Sequence, residues 1–179
     1  MELKMILVVM MLLAITCTVQ SAGNCDILKH QDSRFESFCY IHPGFLGAVK
    51  NINLYAQQCR VKVVITSSFR KDNGKKLVGA VYKPAKRSNH FVGHAIDMNL
   101  TDGNHFCNSS CLRDEKNHPK GVKCFIQKIK QDASLRWGGV FWKPDPVHID
   151  DKLNYKNEAE YNRLFQSLQT NCKHLPVRG

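Results

Sequence analysis

The sequence predicts an α+β fold with a mainly antiparallel sheet flanked by helices, stapled by disulfides. Helical and strand patterns follow one another without the regular alternation of a parallel array. The elements between turn signals are short, and seven of the eight cysteines are spread along the chain behind an apolar leader.

The leader comes first. Met1 to Ala22 holds Lys4, an apolar run from Met5 to Ile15, and small residues at Ser21 and Ala22. This pattern is that of a secretory signal peptide. Its apolar core is shorter than the roughly 20 residues of a bilayer span, and no second run of that length follows. The expectation is a secreted, extracellular, monomeric protein with no membrane span, in which residues 23–179 form a single domain.

Pro43 followed by Phe45, Val49, Ile52 and Ala56 predicts an amphipathic helix over 43–58. "VKVVIT", 61–66, reads as a strand. A loop rich in Lys, Gly and Pro runs from Arg70 to Arg87, and "HAIDMNL" after Gly93 has strand character. Residues 121–132 predict a short helix with Ile126 and Ile129 inward. "LRWGGVFW" reads as a strand with a glycine bend, and "PVHID" as another short strand. Asn157 with Glu160 three residues later resembles a capping box, opening a last helix striped by Tyr161, Leu164, Phe165 and Leu168.

Cys17 leaves with the leader, so the mature chain keeps an odd number of cysteines and one thiol is left over. His105, Cys107, Cys111, His118 and Cys124 could be misread as a zinc knuckle, but an exported chain favours disulfides, whose connectivity the sequence leaves open. "NLT" at Asn99 and "NSS" at Asn108 are glycosylation sequons, Asn108 being favoured.

The formal charge of +11 draws the chain toward polyanions. Nucleic acid fits poorly with export, and the runs "RKDNGKK" and "KPAKR" lack the interleaved aromatics of a single-strand binder. Anionic envelope polymers and acidic glycans are the better partners. A plain solvated face is the competing explanation of each run.

The chemistry concentrates in "SNHFVGHAID", residues 88–97. On one helix His90 and Asp97 would lie two turns apart, and on one straight strand they would face opposite ways. A reversal at Gly93 lets them share an ion, because glycine tolerates the backbone angles required. Catalytic zinc takes three protein ligands, and "DPVHID" supplies His148, with Asp145 three residues before it on a turn between Pro144 and Pro146.

"SNHFVGHAID" satisfies Ser-x-His-x-x-Gly-x-Ala-x-Asp, and "RWGGVFWKPDPVHID" has a Trp-Gly-Gly and Asp-x-x-His ending. Together with "SSFR" these motifs stand in order over about residues 40 to 150. The chain resembles the VanY-like zinc peptidases, which include D-alanyl-D-alanine carboxypeptidases and L-alanyl-D-glutamate endopeptidases. That resemblance implies a Hedgehog/D-Ala-D-Ala peptidase-like fold and one zinc ion on His90, Asp97 and His148. It also implies Asp145 as general base and Arg70 as the group that stabilises charge on the scissile carbonyl. Ser88 is expected to orient the site, and Trp137 and Trp142 to wall the groove. His94 occupies a variable position of the motif and reads as a surface or supporting residue. Asp150 alternates with His148 and is a support for it, an alternative base or a surface carboxylate.

The function expected is a secreted zinc metallopeptidase that cuts bacterial peptidoglycan or its muropeptides, at L-Ala-D-Glu or near a D-Ala terminus. The rival is a non-catalytic, zinc-containing recognition or signalling module of the Hedgehog-like fold. A disulfide protein without metal is the third class.

Overall fold

The computed structural model describes residues 24–72 and 86–175. The expected signal peptide, 1–22, and most of the stretch 70–87 expected to be a loop lie outside these residues. Two short strands, β1 (Leu28–His30) and β2 (Cys39–Ile41), pair antiparallel near the start. A 3-10 turn at Pro43–Phe45 leads into helix α1 (Leu46–Cys59), where the sequence predicts one continuous helix. Strand β3 (Lys62–Ser67) follows, then β4 (Ala95–Asp102), β5 (His105–Cys107) and the short helix α2 (Ser109–Arg113). Helix α3 (Lys120–Gln131), strands β6 (Arg136–Trp137) and β7 (His148–Asp150), and helices α4 (Leu153–Lys156) and α5 (Glu158–Asn171) complete the chain.

The main sheet runs β3-β4-β7-β6, with β5 also on β4, and every pairing is antiparallel. The fold is therefore α+β with an antiparallel sheet and flanking helices. Along β4, Ile96, Met98 and Leu100 point into the core with Ile149 of β7, meeting Val49, Ile52 and Ala56 of α1 and Phe125, Ile126 and Ile129 of α3. Side chains alternate along a strand, so Asp97 and His148 emerge together on the opposite face. A second cluster packs Tyr161, Leu164 and Leu168 of α5 on Phe69 and Val92.

"LRWGGVFW" departs from the expected strand. Only Arg136 and Trp137 pair with β7, and Gly138–Val140 then forms a 3-10 turn. A Cβ on Gly138 would stand 2.2 Å from the Asp145 carbonyl oxygen and 2.9 Å from the His148 Cβ, so the loop folds back over that glycine instead of extending. Asn157 does cap α5, its side chain accepting from the Glu160 N–H at 3.1 Å, but the Glu160 carboxylate binds Arg163.

Disulfides join Cys25 to Cys172, Cys59 to Cys124, and Cys107 to Cys111. They tie the N-terminal segment to the end of α5 and α1 to α3. Among the described residues the free thiol is Cys39, buried in β2, where burial pushes its pKa up to about 12. All three cysteines of the apparent zinc knuckle are thus disulfide-bonded, and His118 instead contacts the Leu112 carbonyl. Asn108 caps α2, its side-chain oxygen accepting from the Ser110 and Cys111 N–H groups. Asn99 lies within β4.

Candidate metal centre

His90, Asp97 and His148 converge from three elements. His90 sits in a 3-10 turn, Asn89–Val92, that ends at Gly93 with φ 70°. A Cβ there would be strained by that angle and would come within 2.6 Å of the His42 backbone nitrogen. The reversal demanded by the His90–Asp97 spacing is thus present. Asp97 and His148 are direct cross-strand partners in β4 and β7.

The outward nitrogens of both histidines are engaged. His90 Nδ1 lies 2.7 Å from the Ser68 carbonyl oxygen and donates to it, and His148 Nε2 donates to Asp150 Oδ2 at 3.0 Å. The lone pairs of His90 Nε2 and His148 Nδ1 therefore turn inward toward Asp97 Oδ1, with separations of 3.0, 3.1 and 3.1 Å among the three atoms. With both histidines neutral, these three acceptors face one another without a hydrogen and repel, and a cation at their centre, whether a proton on His148 or a metal ion, removes the repulsion. Two imidazole nitrogens and a carboxylate oxygen with the tautomers so fixed are a donor set that fits zinc. These three are the group of possible metal ligands among the described residues.

The electrostatics carry the same demand for positive charge. Burial disfavours a charged His148, yet its hydrogen bonds to Asp150 and Asp97 prevail and raise its pKa to about 9. Burial alone would raise the pKa of Asp97, but His90 and His148 hold it well below the usual carboxylate range. Burial lowers that of His90 against the attraction of Asp97.

Arg70 is 7% exposed and donates from Nη1 to Ser67 at 3.2 Å and toward Asp97 Oδ2 at 3.5 Å. Its Nε is buried with no hydrogen-bond partner among the described residues. Asp145 stands outside the converging trio, on the loop before β7. Its N–H donates to the Gly138 carbonyl at 2.9 Å and its carbonyl accepts from the His148 N–H at 3.0 Å. Burial and the negative charge of Asp97 raise its pKa, against the pull of His148, Arg70 and Arg113.

Trp137 does not wall a groove. It is 2% exposed, packed in the core, and its indole N–H donates to the Pro146 carbonyl at 2.7 Å, bracing the Asp145 loop from behind. Trp142, by contrast, is 97% exposed. Ser88 is buried at the start of the His90 turn without a side-chain cap, and its carbonyl accepts from the Tyr161 hydroxyl at 3.1 Å. His94 lies outside the trio, between His42 and Asp151. Asp150 is buried behind His148, which removes the surface-carboxylate reading. Sequence reasoning missed the role of Ser68, because a backbone carbonyl leaves no residue-type signal.

A family model described as D-alanyl-D-alanine carboxypeptidase matches residues 82–151. No curated protein matches the chain. Among solved structures, the Serratia marcescens L-Ala D-Glu endopeptidase ChiX is similar at 18% identity, with a TM-score of 0.44, over 64% of this chain and 82% of that one. The residues matched by the family model hold the whole His90–Asp97–His148 trio, so the similarity to the D-alanyl-D-alanine carboxypeptidase family falls on the stretch that carries the candidate metal centre.

Proposed function

We propose that the protein is a secreted zinc metallopeptidase that hydrolyses peptide bonds of bacterial peptidoglycan, as an L-Ala-D-Glu endopeptidase or a D-Ala-D-Ala carboxypeptidase. The observation that carries this reading is the inward convergence of one oxygen and two nitrogen acceptors at 3.0 to 3.1 Å.

In this reading His90, Asp97 and His148 hold one zinc ion, which when bound polarises the scissile carbonyl and acidifies water. Asp145 accepts the proton of the attacking water at its carboxylate and passes it to the leaving nitrogen. Its raised pKa suits both halves of that transfer. Arg70, buried beside Asp97, offers its guanidinium hydrogens to the oxygen on which negative charge develops. Ser88, at the head of the His90 turn, keeps that turn in place through its backbone. Residues 1–22 direct export as a cleaved signal peptide, and the net charge of +11 holds the monomeric enzyme near anionic envelope polymers. No helix among the described residues is long and apolar enough to cross a membrane.

Mass spectrometry of muropeptides incubated with the mature protein, with and without a zinc chelator, tests the reading. Chelator-sensitive cleavage is expected, and the fragment masses identify the bond. Intact fragments in the presence of a stoichiometrically zinc-loaded protein would replace catalysis with recognition.

A further inference from the structure

Behind His148 stands an ion pair that the proposed reaction does not use. Asp150 is 1% exposed, and its carboxylate is saturated with donors. Oδ1 accepts from Arg136 Nε at 2.9 Å and from the Lys152 N–H at 3.1 Å. Oδ2 accepts from Arg136 Nη2 and, at 3.0 Å, from His148 Nε2. Arg136 therefore grips Asp150 through a two-point fork, and the remaining lone pair of the grip is aimed at the histidine.

The fold is specialised to hold this arginine. Strand β6 has only two residues, and its register sets Arg136 directly opposite Asp150. The guanidinium carbon lies 4.6 Å from the Phe141 ring centre and 5.0 Å from that of Tyr155. The Phe141 ring in turn stands 5.7 Å from the ring of His148. Cation–π contact with two rings limits where the plane of the fork can turn.

We propose that Arg136 is a positioning residue for the metal centre: by fixing Asp150 it keeps the hydrogen of His148 on Nε2 and leaves Nδ1 facing the ion. The inference rests on the zinc reading above. Stability alone does not account for the pair, since a buried ion pair replaced by apolar groups is often neutral in stability. A lysine would supply the charge but not the fork, so the two-point geometry is the property to test.

The test compares zinc-loaded wild type with Arg136→Met, Arg136→Lys and Asp150→Asn, reading zinc affinity by competition with a chromophoric chelator and the coordinating nitrogen of His148 by 15N NMR. Thermal melting reports whether each variant folds. Asp150→Asn is expected to weaken zinc binding by about 10- to 100-fold, the usual range for partners of metal-bound histidines. Arg136→Met should weaken it by roughly tenfold and broaden or shift the His148 signals, with Arg136→Lys only partly restoring both. Unchanged affinity and an unchanged His148 spectrum in a folded Arg136 variant would overturn the inference while leaving the zinc reading intact. Should Arg136→Met not fold, the lysine variant decides by the same criteria. A wild type that takes up no zinc would overturn the function and the inference together.

Discussion

Nε2 of His94 donates to Nδ1 of His42 across 3.0 Å, and the Gly44 N–H donates to the same Nδ1 at 3.1 Å. A nitrogen that accepts twice carries no proton, so His42 is neutral while this clip is closed. The other nitrogen of His94 lies 2.6 Å from Asp151 Oδ2. Three segments are joined: the turn before α1, the turn after His90 and the link after β7.

Acid should open this clip. Burial lowers the pKa of His42 and the charge of His94 lowers it further, against the pull of Asp26 and Glu160, with Arg163 adding to the lowering. The unfolded histidine, at about 6.5, thus takes a proton that the folded one refuses. The contribution to stability is full above about pH 6.5 and is lost as pH falls toward the depressed folded value. Melting temperatures measured between pH 5 and 7 should rise with pH, and His42→Asn, which keeps an acceptor for Gly44, should flatten that slope.

Separating base from ligand gives the second prediction. Asp145→Ala should retain zinc and fold while losing about 10²- to 10⁴-fold in turnover, the range for a general acid–base group. His148→Ala should lose the metal outright. Metal analysis beside muropeptide kinetics checks both, and zinc loss in Asp145→Ala would reverse the two roles.

The glycine that turns the loop is equally exposed to test. In Gly138→Ala the new Cβ would meet the Asp145 carbonyl oxygen at 2.2 Å, a backbone atom that cannot swing aside. The loop must shift, carrying Asp145 away from the trio. Activity should fall by more than tenfold, since misplacement of about 1 Å costs on the order of 10²-fold, and zinc affinity should weaken with it, because the same Cβ would stand 2.9 Å from the His148 Cβ; kinetics beside metal analysis check both.

Where a residue type announces its chemistry, the sequence was informative. His90, Asp97 and His148 were legible because their spacing made sense only as a bend plus a distant third ligand. The helices around α1, α3 and α5 were legible from their apolar stripes. The partners that fix the histidine tautomers were less so: one is the Ser68 carbonyl, and the other, Asp150, was only one of several readings. Strand β6 was overextended because the run stays apolar through Val140, Phe141 and Trp142, while the limit is set by the Asp145 backbone lying against Gly138. Disulfide pairing depends on which chain segments meet, which residue spacing does not encode.

The two tryptophans of "RWGGVFW" should behave oppositely. Trp137 fills the core and its indole N–H holds the Pro146 carbonyl, whereas Trp142 touches solvent over 97% of its surface. Trp137→Ala should cost about 3–5 kcal/mol, the range for emptying a large aromatic site, and leave a buried carbonyl unpaired. It should also release the loop that carries Asp145, so that activity fails below the melting transition. Trp142→Ala should leave the melting temperature within about 2 °C of wild type, because surface changes stay near 0.5 kcal/mol. If Trp142 contacts the polymer, its loss should slow hydrolysis of intact wall fragments more than that of short stem peptides. Equal rates on both would confine substrate recognition to the inner site.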